Sequence, residues 1–318
     1  MFKRIIPVAL NPALDITLQV DGLSDERINT VLHEETDAAG KATNVSKALR
    51  RFGVENTALI LAGRENADNY FRVLSYAPAE ERISWHTVYN PGLIRENLHI
   101  IMPDGGLVTV RRMGFTADER ALGEVYGYLE RNTDAETLVM MCGRLPEGMG
   151  GAEFRELCGI VHKKGGKLAV DSASVTLEDL TAVRPWLIKP NLEELEQYTG
   201  RSYADSGEMR AELARFCREG IENVMLSLGG DGLIWYGGGE CLKADVPEVR
   251  EISPVGAGDS TLSGFIVGMQ RGLALRESVR LAAAFGTAAV TLPGTKPPLK
   301  EDVAAIYGKV KVHPLAGG

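Results

Sequence analysis

The 318-residue sequence predicts an α/β protein in which helices cover both faces of a central, mostly parallel β-sheet. Short apolar runs of strand length alternate with stretches of helical periodicity through most of the chain. Apolar runs without a polar side are typical of strands buried on both faces, as in a parallel sheet between two layers of helices. Two segments that break this alternation predict a second, smaller sheet inserted into the body.

Several strands and helices of the body can be assigned from these patterns. Apolar runs of strand length cover residues 138–142, 168–170, 186–188 and 224–228. Helical patterns cover residues 152–164, 192–199 and 208–219. Parallel strands need a crossover connection, which is usually a helix, so this alternation favours a parallel sheet. No repeat or linker divides the chain, and we expect one domain over residues 1–318.

The second sheet is predicted from two short pairs of strands. The first pair, 16–20 and 28–33, flanks Asp21-Gly22 and a polar stretch. The second pair is 94–100, with a rough period of two, and 107–110, joined by the turn at 103–106. This pattern is typical of a β-hairpin. The alternative is that these segments are edge strands of the main sheet.

Composition and charge narrow the function classes. The net charge of −8 argues against nucleic acid or an anionic membrane as the main partner, although a local pocket can still bind a small anion. No apolar run approaches the roughly 18 residues that span a bilayer, and the short apolar stretch near the N-terminus does not resemble a signal peptide. Four scattered cysteines without a CxxC pair are typical of a reduced, cytoplasmic protein.

The strongest chemical signal is the segment Gly256-Ala257-Gly258-Asp259, which opens an amphipathic helix. Small residues let backbone N–H groups approach a ligand, and the start of a helix adds free donors and a positive dipole end. Such a site suits a phosphate or a developing oxyanion. Asp259 could take a proton from an attacking hydroxyl, or it could merely complement the helix dipole. Thr261 stands where the last glycine of GxGxxG would be, which disfavours a dinucleotide oxidoreductase.

A second small-residue element, Ala38-Ala39-Gly40-Lys41-Ala42, opens another amphipathic helix. A lysine near a helix N-terminus has the wrong charge for the helix dipole. A lysine aimed at an anionic ligand explains this position better than a neutral surface lysine. Asn44, in the first turn, could donate a hydrogen bond to a sugar hydroxyl.

These two elements, their order and their separation resemble those of the ribokinase-like (PfkB) family of carbohydrate kinases. The resemblance covers nearly the whole chain, and it is strongest to the sugar-phosphate kinases, the branch of 1-phosphofructokinase and tagatose-6-phosphate kinase. Further matching blocks are Asn11-Pro12-Ala13-Leu14-Asp15, Ile94-Arg95-Glu96-Asn97, Gly143 to Gly148, Lys189 to Glu194, and Ser227-Leu228-Gly229. The resemblance implies a three-layer α/β/α body, with a small lid sheet from insertions at about 13–36 and 90–112.

The implied activity is ATP-dependent phosphorylation of a ketohexose phosphate (fructose 1-phosphate, tagatose 6-phosphate or fructose 6-phosphate) to the bisphosphate. By similarity, Asp259 is the catalytic base, and Gly256, Ala257 and Gly258 form an anion hole for the transferred phosphoryl group. The implied contacts to the sugar come from Asp15, Asn11, Gly40 and Asn44. Those to its phosphate come from Lys41 and Arg95, with Arg111, Arg112 and Arg144 as further candidates.

The resemblance also implies a nucleotide site. Its residues would be Lys189, Asn191, Ser227, Gly229, Gly232 and Gly258, with the helix around 284–288. Small residues in that helix could equally serve packing. Asn191 and Glu194 match the Asn-x-x-Glu element, which places Mg²⁺ and the nucleotide phosphates largely through water. The same spacing is a capping box, and both readings can hold together.

Four departures from the family pattern stand out: Ala39 and Ala42 replace glycines, Pro254 precedes the C-terminal motif, Met113 replaces a proline, and Arg144 replaces a small polar residue. The first and the last of these border the predicted acceptor pocket. They leave the identity of the sugar phosphate open. The alternatives are a family kinase for an unphosphorylated sugar or nucleoside, and a catalytically silent sugar-phosphate sensor. A small sheet with an apolar face needs a partner, so we expect a homodimer formed through the lid sheet.

Overall fold

Two separate β-sheets organise the computed structural model, which describes residues 1–25 and 28–315. Both sheets are built from strands that we number in chain order. The strands in these residues are β1 (Arg4–Ala9), β2 (Ala13–Val20), β3 (Val31–Ala39), β4 (Thr57–Gly63), β5 (Ser84–Asn90), β6 (Arg95–Ile101), β7 (Leu107–Arg112), β8 (Thr137–Cys142), β9 (Lys167–Asp171), β10 (Leu187–Ile188), β11 (Asn223–Ser227), β12 (Leu233–Gly237), β13 (Glu240–Asp245) and β14 (Lys311–Pro314).

The helices pack on the two faces of the larger sheet. In the described part of the chain they are α1 (Lys41–Arg51), α2 (Ala67–Ser75), α3 (Glu119–Asn132), α4 (Gly151–Lys163), α5 (Leu177–Val183), α6 (Leu192–Thr199), α7 (Ser206–Arg218), α8 (Ala257–Gln270), α9 (Leu275–Ala289) and α10 (Lys300–Tyr307). None of these helices combines the length and the apolar character needed to cross a membrane.

The larger sheet has the order β14-β13-β12-β11-β10-β9-β8-β1-β4-β5. The strands from β11 to β5 in that order are parallel, whereas β12, β13 and β14 are added antiparallel at one edge. Parallel strands bring their carboxyl ends to one edge of the sheet, which is where open α/β sheets bind ligands. The predicted mostly parallel sheet is therefore confirmed.

Alternation along the central strands builds a core on each face of this sheet. On β8, Leu138 and Met140 belong to the core that includes α1, α8 and α9, whereas Val139 and Met141 belong to the core that includes α3, α4 and α7. Because successive side chains of a strand point to opposite faces, a fully apolar strand serves two layers of helices at once. This explains why the predicted strands are continuous apolar runs, and it confirms the three-layer body.

The smaller sheet has the order β3-β2-β6-β7 and is separate from the larger one, so the alternative of edge strands on the main sheet is wrong. The strand predicted at 28–33 instead runs over Val31–Ala39, and its last two residues, Ala38 and Ala39, are buried against the body. Part of the polar stretch before it, residues 26–27, lies outside the described residues. The predicted hairpin is present as β6 and β7, paired antiparallel.

The predicted helices and strands of the body lie within two residues of the observed ones. The largest shift is at α7, which begins at Ser206 rather than at 208. The side chain of Asp205 accepts hydrogen bonds from the backbone N–H groups of Gly207 and Glu208. This cap satisfies donors that the first turn leaves unpaired, and so it starts the helix earlier than the apolar pattern alone indicates.

Candidate active site

A cleft of about 730 Å³ lies between the carboxyl ends of the central strands, the smaller sheet and the start of α8. Most of the residues that the sequence predicts for catalysis, for substrate binding and for nucleotide binding line this cleft. Those that line it are Asp15, Gly40, Lys41, Asn44, Arg95, Lys189, Asn191, Glu194, Ser227, Gly229, Gly232, Gly256, Ala257, Gly258 and Asp259. Asn11, Arg111, Arg112 and Arg144, which the sequence also proposed, are not among the lining residues.

The start of α8 presents its backbone to the cleft. Gly256 is the N-cap residue and has φ +81°, a conformation that costs glycine little and other residues much more. A Cβ atom at this position would also lie 3.2 Å from the Cα of Thr295. The next residues, Ala257, Gly258 and Asp259, form the first turn, where N–H groups have no partner within the helix. The local fold therefore suits an anion.

Asp259 is buried, with 5% of its surface exposed, and it faces this anion site. The Nδ2 atom of Asn44 donates a 2.9 Å hydrogen bond to its Oδ2 atom. Burial raises the pKa of Asp259 to about 6, although the positive charge of Lys41 acts in the opposite direction. A carboxylate with this pKa is ionised at neutral pH and is basic enough to accept a proton. Asn44, expected to contact the sugar, lines the cleft and also orients the candidate base.

The ammonium group of Lys41 is paired with Asp171, the last residue of β9. Its Nζ atom lies 2.8 Å from Asp171 Oδ1, and the Nζ atom of Lys189 lies 3.3 Å from Asp171 Oδ2. Burial would lower the pKa of Lys41, but the charges of Asp171 and Asp259 outweigh it and raise the pKa above its usual value. Sequence reasoning missed Asp171; a carboxylate directly after a buried strand was the signal available.

Alternate residues of β2 and β6 form one side of the cleft. Asp15 and Asn97 are directly opposite in the register of the two strands, and the Asn97 Nδ2 atom donates a 2.6 Å hydrogen bond to Asp15 Oδ1. Ala13 and Arg95, two residues earlier on each strand, line the cleft with them. Because side chains alternate along a strand, these four residues share one face of the smaller sheet. Asn97 was not predicted as a site residue by itself.

Arg95 is the centre of a basic group at this end of the cleft. Burial lowers the pKa of its guanidinium, the carboxylate of Asp15 raises it, and the charges of Arg111 and Arg144 lower it further. Arg111 and Arg144 are exposed, so they lie near Arg95 outside the lining of the cleft. Arg112, in contrast, is paired with Glu96 on the adjacent strand. Unlike Arg111 and Arg144, Arg112 therefore adds no charge to the group around Arg95.

Asn11 supports this region through its backbone. Its carbonyl oxygen accepts a 3.3 Å hydrogen bond from Arg95 Nε, and its side-chain amide donates to the carbonyl of Leu145 at 3.3 Å. The chain after β1 is therefore tied both to the smaller sheet and to the segment that carries Arg144. Asn11 positions the guanidinium rather than lining the cleft.

The opposite end of the cleft combines small residues with two valines. It includes Ser227, Gly229 and Gly232, beside Val246 and Val249. Gly232 has φ +82°, and a Cβ atom there would collide with the carbonyl oxygen of Ala244, so only glycine lets the two segments approach. These features suit a planar base held between backbone segments.

Helix α9 borders this end through a few small residues. Ala283, Gly286 and Thr287 line the cleft, whereas Ala284 and Ala288 are fully buried in the core. A Cβ atom on Gly286 would collide with the hydroxyl of Thr261 on α8. The packing alternative therefore applies to Ala284 and Ala288, whereas Gly286 both packs against α8 and lines the cleft.

Asn191 and Glu194 form the capping box of α6 that the spacing allowed. Asn191 Oδ1 accepts from the backbone N–H of Glu194 at 2.7 Å, and Glu194 Oε2 accepts from the N–H of Asn191 at 3.0 Å. Both residues also line the cleft, and Glu194 Oε1 takes no part in the box. Among the described residues, no group of three or more His, Cys, Asp or Glu side chains could hold a metal ion. Such sparse donors fit Mg²⁺, which keeps several waters.

Comparison with protein families agrees with this site. The model of the pfkB family of carbohydrate kinases matches residues 8–302, which include both glycine elements and Asp259. The chain belongs to the pfkB family of carbohydrate kinases. It is a phosphotransferase, and the resemblance seen in the sequence motifs is confirmed.

Curated relatives of this carbohydrate kinase cover it almost completely. The 1-phosphofructokinase of Rhodobacter capsulatus is 32% identical over 320 residues, with 99% of each chain covered. The 1-phosphofructokinase of Vibrio cholerae is 28% identical over 318 residues, covering 99% of this chain and 98% of that one. Among solved structures, phosphofructokinase-2 from Escherichia coli in complex with substrates and products is 25% identical with a TM-score of 0.85, over 96% of this chain and 99% of that chain.

Proposed function

We propose that this carbohydrate kinase transfers the terminal phosphoryl group of ATP to a ketohexose phosphate and forms the bisphosphate. The observation that carries the proposal is the buried Asp259 at an anion-binding helix start, in the same cleft as Arg95. Support also comes from the names of its relatives, several of which are 1-phosphofructokinases. The candidate acceptors are fructose 1-phosphate, tagatose 6-phosphate and fructose 6-phosphate.

In the proposed reaction, Asp259 accepts the proton of the acceptor hydroxyl. The hydroxyl oxygen then forms a bond to the terminal phosphorus of ATP, and the bond between that phosphorus and the bridging oxygen breaks, so ADP leaves. The backbone N–H groups of Gly256, Ala257 and Gly258 would stabilise the charge on the phosphoryl oxygens. Positioning and charge stabilisation supply most of the catalysis in phosphoryl transfer.

The acceptor would lie against the smaller sheet, with its hydroxyls on Asp15, Asn97 and Gly40. Its own phosphate would lie near Arg95, whose planar fork matches phosphate oxygens. Arg111 and Arg144 add positive charge from just outside the cleft lining. In this arrangement Lys41 serves the transferred phosphoryl group instead of the acceptor's phosphate, because its ammonium group is bound to Asp171.

ATP would occupy the end of the cleft opposite Arg95, with its base between the segments of Gly229 and Val249 and its phosphates towards Lys189 and Gly258. Asn191 and Glu194 would hold Mg²⁺ through water, with Glu194 Oε1 as the atom that the capping box leaves out. Bound Mg²⁺ neutralises phosphate charge during transfer.

An ADP-release assay over a panel of acceptors tests the proposal. We expect rapid, Mg²⁺-dependent ADP release with at least one of the three ketohexose phosphates, because the guanidinium of Arg95 favours an anionic acceptor. The matched controls are fructose, tagatose and a nucleoside. Faster turnover of an unphosphorylated acceptor would replace the proposal with an ordinary sugar or nucleoside kinase. Thermal stabilisation by a sugar phosphate without any ADP release would instead indicate a sensor.

We also propose that residues 1–318 act as one kinase domain whose smaller sheet is a lid, and that two subunits pair through these lids. Every residue of β7 is exposed, including Leu107, Val108 and Val110, as are Val31 and Leu32 at the other edge. Exposed apolar residues on an edge strand favour pairing with another chain. One solved relative is described as a tetrameric inhibited form of phosphofructokinase-2.

Light scattering tests the dimer. We expect a mass of twice 34.4 kDa at micromolar concentration. The Val110→Lys variant should shift the mass towards the monomer, because it places a charge in the apolar patch. Exposed Thr109, the adjacent residue of β7, provides the control variant Thr109→Ser, which should keep the wild-type mass. A wild-type protein that is monomeric at this concentration contradicts the proposal.

The four unpaired cysteines support our further proposal that the kinase works in the reducing cytoplasm.

A further inference from the structure

The buried carboxylate of Asp171 is the feature that the proposed reaction has not yet used. Asp171 is 1% exposed at the carboxyl end of β9, and its carbonyl oxygen accepts a 2.9 Å hydrogen bond from the backbone N–H of Gly143 after β8. Its side chain contacts two ammonium groups, those of Lys41 and Lys189. A fixed backbone therefore presents one buried anion to two cations that line the cleft.

The two lysines reach Asp171 from separate elements. Lys41 is the first residue of α1, and Lys189 directly follows β10. A Cβ atom on Gly258 would lie 3.0 Å from Lys189 Nζ, so this ammonium group is close to the backbone of the anion site. Lys41 is also under the influence of Asp259, whose charge is one of those that raise the pKa of this lysine. The base and Asp171 thus compete for the same cation.

We propose that Asp171 is a positioning residue that holds Lys41 and Lys189 beside the anion site and prevents Lys41 from pairing with Asp259. The inference rests on the proposed kinase reaction. Without the carboxylate of Asp171, the strongest remaining attraction on the ammonium group of Lys41 would come from the base itself. A base bound to an ammonium group is a poor proton acceptor, and the transferred phosphoryl group would lose both preorganised cations.

The charges around Asp259 predict that removing Asp171 changes the pKa of the base, an effect that removing a purely structural carboxylate would not have. The groups facing Asp259 are Lys41 and Lys189, which lower its pKa, Asp171, which raises it, and Asn44, whose hydrogen bond lowers it. Removing the charge of Asp171 therefore lowers the pKa of Asp259. A lysine that swings towards Asp259 lowers it further. Both effects have the same sign.

The test is the Asp171→Asn variant, assayed as the full chain with ATP, Mg²⁺ and the best acceptor of the panel. We expect kcat to fall roughly 100-fold, with smaller changes in KM, because the cations act on charge that develops in the transition state. The acidic limb of the pH profile should move to lower pH. An unchanged kcat, or an unchanged limb, overturns the inference.

Glu212 provides a matched control. Like Asp171 it is a buried carboxylate between two cations, with Arg201 Nη2 3.0 Å from Oε2 and Arg215 Nη2 2.5 Å from Oε1. Neither arginine lines the cleft, unlike the two lysines that contact Asp171. Glu212→Gln should lower the melting temperature and leave kcat and the acidic limb unchanged. If Glu212→Gln moves the limb as far as Asp171→Asn does, the shift does not report on Asp171, and the inference fails.

A double variant keeps the test decisive where the single Asn variant folds poorly. Lys41→Met with Asp171→Asn removes both charges of one pair, and we expect its loss of kcat to be smaller than the product of the two single losses, because Asp171 acts partly through Lys41 and only its contact with Lys189 remains to be lost. Losses that multiply would mean that the two residues act independently, which overturns the inference. If the wild-type protein releases no ADP with any sugar phosphate, the proposed function fails first, and the two failures are thereby distinguished.

Discussion

The Asp259→Asn variant should lose turnover by roughly 10²- to 10⁴-fold, the usual contribution of a general base. Asparagine has nearly the same shape, and its side-chain oxygen can still accept the hydrogen bond from Asn44. The start of α8 and the anion site should therefore persist. What is lost is the ability to accept the proton of the acceptor hydroxyl.

Nucleotide binding separates this loss from misfolding. ATP should stabilise the Asp259→Asn variant against heat as much as it stabilises the wild type, because the proposed nucleotide end of the cleft is unchanged. Turnover close to that of the wild type would mean that another group is the base.

The same residue sets the expected pH dependence. The pKa of Asp259 is raised to about 6, so the carboxylate is protonated below that pH and cannot accept another proton. Wild-type kcat/KM should therefore fall as the pH drops below about 6. The residual rate of Asp259→Asn should lack this limb. A limb retained in the variant would assign it to a different group.

The second large effect is expected from Arg95→Ala. Removing this guanidinium takes away the predicted fork for the acceptor's phosphate, and charged hydrogen bonds of this kind contribute about 1.5–3 kcal/mol each. The KM for the sugar phosphate should rise roughly 10- to 100-fold. The KM for the matching unphosphorylated sugar should hardly change, because its hydroxyls would bind Asp15 and Asn97.

Arg112 offers a matched comparison two strands from Asp15. Its side chain is 62% exposed and already paired with Glu96, so Arg112→Ala should change the KM for the sugar phosphate much less than Arg95→Ala does. Equal losses for phosphorylated and unphosphorylated sugars in Arg95→Ala would contradict the phosphate assignment. In that case, Arg95 would act mainly by holding the smaller sheet to Asn11.

The sequence carried enough information for the fold class and for the place of the candidate base at the start of α8. The central strands can be recognised as continuous apolar runs because each strand contacts two layers of helices. The segment Gly256 to Asp259 can be recognised because chemistry and backbone geometry constrain the same four residues. The small sheet was also predictable from its turn. Its strand β3 was placed too early, because burial of Ala38 and Ala39 against the body is a long-range effect.

The features of the site that the sequence did not indicate are contacts between residues far apart in the chain. Lys41 and Asp171 are 130 positions apart, and Asn44 and Asp259 are 215 apart. Nothing local to Lys41 indicates that a carboxylate at the end of β9 holds its ammonium group. The sequence likewise shows that Arg144 is a positive charge in the segment after β8. Its exposed position outside the cleft lining depends on a long-range contact, the hydrogen bond from Asn11 to the carbonyl of Leu145 in that segment.

Residues of both sheets line the cleft, and this arrangement can limit the transfer of the phosphoryl group of ATP to water. The candidate base belongs to the body, whereas Asp15, Arg95 and Asn97 belong to the smaller sheet. Water is small enough to reach Asp259 without any contact to that sheet, but a sugar phosphate must engage both. An enzyme arranged in this way can reserve its fully assembled geometry for the sugar, since only the larger nucleophile draws the two walls together around the transferred group.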